Sequence, residues 1–84
     1  MHIQLLYFGR PADHLGIAQE HADVPDHLTT LAELLAWLRL RGGIWQQELA
    51  DHRIRCAVNQ EFCELTAAIS PDDEIAFFSP ISGG

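Results

Sequence analysis

The sequence contains no lysine, and its five arginines stand against twelve aspartate and glutamate residues, for a formal net charge of −7. A chain this acidic repels phosphate backbones, so we expect no binding to nucleic acid. A basic partner surface is the better electrostatic match. The absence of lysine also means that an activated C-terminal carboxyl group cannot be captured by a lysine amine of the same chain.

Cysteine is scarce as well, with Cys56 and Cys63 seven residues apart. Neither has a further cysteine or a histidine at metal-ligand spacing, and a reducing compartment disfavours a bridge, so both are interpreted as packing thiols. The histidines form no HExxH motif and no close pair in sequence, which predicts no metal site. They are His2, His14, His21, His27 and His52.

Long hydrophobic runs and catalytic fingerprints are also missing. The apolar stretch at residues 3–8 is too short for a membrane span, and no basic leader precedes it, so a cytoplasmic protein is expected. There is no GxSxG motif, P-loop or dinucleotide fingerprint. The acidic run at 72–74 is interpreted as a solvated turn before a strand, and not as a pair of catalytic carboxylates. From these observations together, the chain is predicted to have no catalytic machinery of its own.

The length of 84 residues and the hydrophobic content of 48% fit one domain over 1–84, with a body at 1–80 and a protruding tail at 81–84. Apolar runs and alternation predict strands at 3–8, 18–24, 53–58, 62–65 and 74–79. A helical turn is predicted at 11–16, and a short helix at 44–50 that turns Trp45 and Leu49 towards the core.

One long amphipathic helix is predicted after residue 30. Thr30 and Glu33 form a capping box, Arg39 and Arg41 are expected in the last turn, and a diglycine at 42–43 is expected to end the helix. Four leucines at helical spacing predict its buried face. They are Leu31, Leu34, Leu35 and Leu38.

This order of elements predicts an α+β fold with the helix packed on one face of the sheet. Two-residue periodicity turns Ile3, Leu5, Tyr7, Ile75 and Phe77 towards the helix. The residues that alternate with them face away: Leu6, Phe8, Ala76 and Phe78. Two phenylalanines on the open face, beside the C-terminal tail, predict a docking surface.

The C-terminal segment combines stiffness with small size. Pro80 restricts the backbone where the last strand ends, whereas Gly83 and Gly84 carry no side chains and permit backbone angles closed to other residues. Such an end can enter the active site of another protein and present its carboxylate there.

Three blocks of sequence resemble the small, sulfur-carrier subunit of molybdopterin synthase, a ubiquitin-like β-grasp family. They are IQLLYF at 3–8, AVNQ at 57–60 and DEIAFFSPISGG at 73–84. The chain departs from the family at Ser79, where a second proline is usual, and at 10–13, where the family has an Arg-Glu pair.

The resemblance implies a β-grasp fold: a mixed sheet of four to five strands on one main helix, with a flexible Gly-Gly tail. It also implies a role in molybdenum cofactor biosynthesis. An activating enzyme that resembles those of ubiquitin-like proteins would use Mg-ATP to adenylate Gly84, and a sulfur donor protein would convert it to a thiocarboxylate. The sulfur would then attack a pterin precursor in the large synthase subunit, within a heterotetramer of two small and two large subunits.

By the same resemblance, Pro80, Ile81, Ser82 and Gly83 would enter the large subunit, and Phe8, Phe62 and Phe78 would contact the partners. Two alternatives stay open. The first is a sulfur carrier for thiamine or cysteine synthesis, or a ubiquitin-like protein modifier. The second is an interaction domain whose tail has no chemistry.

Overall fold

A computed structural model describes residues 1–80 of the chain. Its five strands are β1 (His2–Tyr7), β2 (Gln19–Asp23), β3 (Arg55–Val58), β4 (Glu61–Cys63) and β5 (Glu74–Phe78). Its helices are α1 (Arg10–Leu15), α2 (Leu31–Arg39) and α3 (Ile44–Glu48). Each predicted strand and helix is present, with bounds that shift by a few residues.

The strands form one mixed sheet in the order β2-β1-β5-β3-β4. The central strands β1 and β5 run parallel, and the other neighbours are antiparallel. The chain reverses between β3 and β4 through Asn59 and Gln60, which both have positive φ, as in the type I′ turns that commonly join two-residue hairpins. The predicted α+β class and the mixed sheet are therefore confirmed, and the sheet has five strands, within the predicted four to five.

The core lies between the sheet and the helices. Ile3, Leu5, Ile75 and Phe77 are fully buried, and Tyr7 is almost so, as their alternation along β1 and β5 predicts. The four leucines of α2 are fully buried against them. Leu49 is buried beyond the end of α3, and Trp45 packs on the edge of the same cluster.

Helix α2 begins as predicted but ends earlier. Thr30 Oγ1 accepts a hydrogen bond from the Glu33 backbone, and Glu33 accepts one in return from the Thr30 backbone. The helix ends at Arg39, so the prediction that Arg41 lies in its last turn is wrong. After Arg39 the backbone tightens into three-residue turns, in which the Arg41 N–H donates to the Leu38 carbonyl. Arg41 therefore lies beyond the helix, and its guanidinium binds Glu20 on β2.

Replacing the capping residue tests how much this helix start stabilises the fold. In Thr30→Ala the backbone N–H of Glu33 loses its side-chain acceptor, so the free energy of unfolding should fall by about 1 kcal/mol. Urea unfolding followed by circular dichroism measures the change. Thr66→Ala makes the same chemical change at an exposed turn position and should leave stability nearly unchanged; equal losses in the two variants would contradict the capping role.

Candidate functional site

The face of the sheet opposite the helices, called here the outer face, carries the side chains that alternate with the core. The register places Leu6 beside Ala76, Ala76 beside Ala57, and Ala57 beside Phe62 in one row across four strands. Phe8 is half exposed and Phe78 is partly exposed. The predicted outward orientation of these two phenylalanines is confirmed.

Three aromatic side chains, Phe8, Phe62 and Phe78, form what we call the aromatic patch. Phe62 is 83% exposed and Phe8 is 52% exposed, and the ring centroids of Phe62 and Phe78 lie 5.4 Å apart. A groove of about 660 Å³ runs along the patch, and its walls are largely apolar. Its lining residues are Leu6, Phe8, Ala57, Gln60, Phe62, Glu74, Ala76, Phe78, Ser79 and Pro80. An exposed apolar surface of this kind is typical of a protein-docking site.

The tight turn at Asn59 and Gln60 explains the position of Phe62. It sets β4 against β3 so that Phe62 lies opposite Ala57, and the small Ala57 side chain leaves room for the ring. Strand periodicity alone indicated only Phe8 and Phe78, whereas Phe62 came from the family resemblance. A two-residue turn at Asn59 and Gln60 pairs Val58 with Glu61 and therefore Ala57 with Phe62, and that turn is the signal that could have found it.

The outer face is apolar only at one end. At the other end, Gln4 lies between His21 and Glu74, and the ring of His2 lies nearly parallel to that of His21, with centroids 5.1 Å apart. The apolar end is the one where β5 finishes. Docking by apolar contact is therefore confined to the part of the face from which the C-terminal segment leaves.

The predicted tail falls partly outside the described residues. Ser79 is half-buried, and the exposed Pro80 lines the groove beside the aromatic patch. Ile81, Ser82, Gly83 and Gly84 lie outside the described residues, so their predicted insertion and chemistry stay predictions. Two of the residues assigned to partner contact, Phe62 and Phe78, are in mutual contact, and Phe8 lines the same groove.

Behind the patch, a polar network ties the sheet to the end of α2. The Tyr7 hydroxyl donates to Glu20 at 2.8 Å, and Arg41 binds both Glu20 oxygens at 2.8 and 2.9 Å. The guanidinium of Arg41 also lies 4.4 Å from the ring centroid of Trp45. The hydrogen bonds from Arg41 lower the pKa of Glu20, whereas burial raises that of Tyr7. This network was not predicted, because its members are distant in sequence.

The lowered pKa of Glu20 gives stability a defined pH dependence. The charged carboxylate stabilises the fold above the pKa it has in the unfolded chain, and this contribution is lost as pH falls through the folded pKa. Glu20→Gln should therefore unfold at lower urea concentration than wild type at pH 7, and the difference should shrink in acid. Urea midpoints between pH 7 and 3 measure it. Glu64→Gln, at an exposed position, is the control; a gap that stays constant with pH would contradict the assignment.

The two cysteines pack as predicted. Cys56 is buried and Cys63 is half-buried, and they lie opposite each other on β3 and β4. Burial raises the pKa of the Cys56 thiol to about 12, which suppresses the reactive thiolate. Within residues 1–80, no three histidine, cysteine or acidic side chains converge in a way that could hold a metal ion.

One buried charge was not predicted. Glu48, at the end of α3, is 3% exposed and lies near Arg10, His14 and Arg53. A helical spacing of three residues puts Glu48 on the face of α3 that carries Trp45, and that spacing is the signal that could have found it. None of the helices in the described part of the chain is long and apolar enough to cross a membrane.

The central parallel pair, the mixed strand order and the helices on one face define a ubiquitin-like β-grasp domain. Residues 5–84 match the model of the ThiS family. The chain belongs to the ThiS family, and this membership extends to the terminal diglycine.

Curated relatives and solved structures share almost the full length of the chain. A human molybdopterin synthase sulfur carrier subunit is 37% identical over 87 residues, which cover 98% of this chain and 93% of the relative. The subunit of the same name from Haemophilus influenzae is 28% identical over 82 residues, which cover 98% of this chain and 99% of the relative.

Two solved structures share the fold. Small archaeal modifier protein 1 of H. volcanii has a TM-score of 0.66 at 29% identity and covers 95% of this chain and 98% of its own. A chain in a complex of subunits 1 and 2 of molybdopterin-converting factor from Helicobacter pylori has a TM-score of 0.67 at 20% identity, with full coverage of both chains.

Proposed function

We propose that the protein is the sulfur carrier of molybdopterin synthase, in the biosynthesis of the molybdenum cofactor. The observation that carries the proposal is the arrangement at the end of β5: an exposed aromatic patch borders the point where the chain continues towards Gly83 and Gly84. The relatives named molybdopterin synthase sulfur carrier subunit support it, since they align along almost the whole chain.

The chemistry begins at Gly84. An activating enzyme related to those of ubiquitin-like proteins transfers AMP from Mg-ATP to the Gly84 carboxylate and releases pyrophosphate. AMP is a far better leaving group than an oxide ion, so the acyl carbon becomes open to attack. A sulfur donor protein then supplies sulfur at the sulfide level, which attacks the acyl carbon of Gly84, displaces AMP and leaves a terminal thiocarboxylate. In the active site of the large subunit this sulfur attacks the pterin precursor. The chain supplies the nucleophile, and its partners supply positioning, acid–base groups and charge stabilisation.

The domain divides accordingly into a body at 1–80 and an arm at 81–84. The aromatic patch seats the body on the large subunit, while Pro80, Ile81, Ser82 and Gly83 carry Gly84 into the active site. The two-subunit complex from Helicobacter pylori supports such a partner. We propose an assembly of two small and two large subunits, in the cytoplasm.

A second candidate function is that of a ubiquitin-like protein modifier, in which the activated Gly84 passes to an amine of another protein. The likeness to small archaeal modifier protein 1 favours it. A sulfur carrier for thiamine or cysteine synthesis would use the same activation with a different acceptor. A plain interaction domain would use the patch alone.

Reconstitution tests the proposal. The protein is incubated with the activating enzyme, Mg-ATP and a sulfur source, and its intact mass is measured. We expect a gain equal to the exchange of one oxygen for sulfur, located at Gly84 by fragmentation. Addition of the large subunit and the pterin precursor should then yield molybdopterin. An unmodified terminus in the presence of active enzyme would refute the carrier function. Formation of the thiocarboxylate without formation of molybdopterin would favour a sulfur carrier for thiamine or cysteine synthesis.

A further inference from the structure

Glu48 is a buried carboxylate surrounded by basic side chains. Its Oε1 lies 3.5 Å from Nε of Arg10, and its Oε2 lies 3.1 Å from Nδ1 of His14 and 3.7 Å from Nη1 of Arg53. These partners come from three parts of the sequence. Glu48 therefore fixes α1 and the segment before β3 to the end of α3.

Both arginines lie at the end of the sheet that carries the aromatic patch. Strand β1 runs parallel to β5, so Arg10, two residues after Phe8, lies beyond the end of β1 next to the end of β5. Strand β3 runs antiparallel and begins at Arg55 opposite Phe78, so Arg53 precedes β3 at the same end. Arg10 and Arg53 thus come from the two chain segments that flank the end of β5.

The Glu48 cluster keeps an excess of positive charge at the surface. Two guanidinium groups stand against one carboxylate, and the side chains of Arg10 and Arg53 are 52% and 42% exposed although Glu48 is buried. Burying a carboxylate among cations contributes little to stability compared with apolar packing of the same volume. The clearer consequence of burying Glu48 is that two arginines are held in place at one end of the sheet. They are a local positive site on a chain with a net charge of −7.

We propose that Glu48 is a positioning residue for docking: it holds Arg10 and Arg53 at the end of the sheet where β5 finishes, and there they receive carboxylate groups of the large subunit. The inference rests on the proposed function, which supplies the partner. Guanidinium groups that are already oriented lose less side-chain entropy on pairing with a carboxylate. Because charged pairs at a rim fix the orientation of a complex, the two arginines would set the rotation of the domain about the patch and so the direction of its arm.

Binding kinetics with the large subunit test the role of the cluster. Association and dissociation rates are measured at low and high salt for wild type, Glu48→Gln and the double variant Arg10→Gln/Arg53→Gln. The double variant should associate about tenfold more slowly at low salt, and the deficit should shrink at high salt. Arg39→Gln is the control for charge, because Arg39 pairs with Asp51 at 3.0 Å, outside the Glu48 cluster. It removes one positive charge and the double variant removes two, so charge alone predicts for the double variant about twice the logarithmic rate change of Arg39→Gln.

Glu48→Gln separates positioning from charge. It removes a negative charge beside the two arginines, so a purely electrostatic effect would strengthen their attraction to the carboxylates that face them on the large subunit. Loss of positioning should instead raise the dissociation rate, by about tenfold, because the arginines are no longer held. Tighter binding by Glu48→Gln would overturn the proposal. So would a loss of association rate in the double variant that is no more than twice, on a logarithmic scale, the loss in Arg39→Gln.

Two further comparisons cover a variant that does not fold and a proposed function that is wrong. If Glu48→Gln does not fold, as judged by circular dichroism, the single variants Arg10→Gln and Arg53→Gln decide, since each leaves Glu48 two of its three basic partners. Phe62→Ala distinguishes a failure of the role proposed for Glu48 from a failure of the proposed function. Weakened binding by Phe62→Ala together with unaffected arginine variants overturns only the role of Glu48, whereas a wild-type protein that does not bind the large subunit overturns both.

Discussion

Deleting Gly84 should reduce molybdopterin formation at least about a hundredfold, because the chain would still end in a glycine carboxylate but one residue short. One residue of extended chain spans roughly 3.5 Å. A displacement of that size separates reacting atoms that must approach within about 3.5 Å, while the charge and chemistry of the terminus stay the same. Single-turnover conversion of the pterin precursor, with intact mass to follow adenylation and sulfur transfer, measures the loss.

Binding provides the internal control for this deletion. The aromatic patch and the Glu48 cluster lie within residues 1–80, so the shortened chain should still bind the large subunit with an affinity within a few-fold of wild type. Loss of chemistry with retained binding is the expected pair of results. Unchanged conversion by the shortened chain would show that Gly84 is not the reacting residue and would favour the plain interaction domain.

Replacing Phe62 by alanine should weaken binding to the large subunit by about 2 kcal/mol, or roughly thirtyfold in Kd. Phe62 is 83% exposed and contacts Phe78, so its ring has apolar surface to bury and little role in the core. Large aromatic side chains at the centre of a docking surface commonly dominate its affinity. Titration calorimetry measures the change, and the urea midpoint should remain close to that of wild type.

Leu40 provides the matched control for the Phe62 variant. It is 80% exposed and apolar, but it follows α2 on the helical side of the sheet, away from the aromatic patch. Leu40→Ala should therefore leave the Kd unchanged. An equal loss of affinity in the two variants would show that general surface hydrophobicity drives binding, and unchanged affinity in Phe62→Ala would remove the patch from the interface.

The fold and the outward phenylalanines were predictable because they depend on short-range patterns. Alternation along β1 and β5 is enough to separate Leu5 from Leu6 and Phe77 from Phe78. The capping box at Thr30 is equally local. In each case the informative residues lie within four positions of each other, so the local sequence alone is enough to predict the feature.

The two charge networks were not predictable, because they join residues that are far apart in sequence. Arg41 binds Glu20, 21 residues earlier, and His14 contacts Glu48, 34 residues later. Helix-end preferences alone predicted Arg41 in the last turn of α2, whereas it lies beyond the helix and binds both Glu20 oxygens. Long-range pairing of this kind follows from the topology and leaves no local periodicity.

The central position of β5 has a consequence for the order in which the protein matures. Strand β5 is the last described strand to be synthesised, yet it pairs with β1 on one side and β3 on the other. Until it emerges, β1 and β3 each present an unpaired edge, and the sheet exists only as two separate pieces. Closure of the sheet and presentation of the C-terminal segment are therefore a single folding event, so an activating enzyme would meet that segment only on a finished domain.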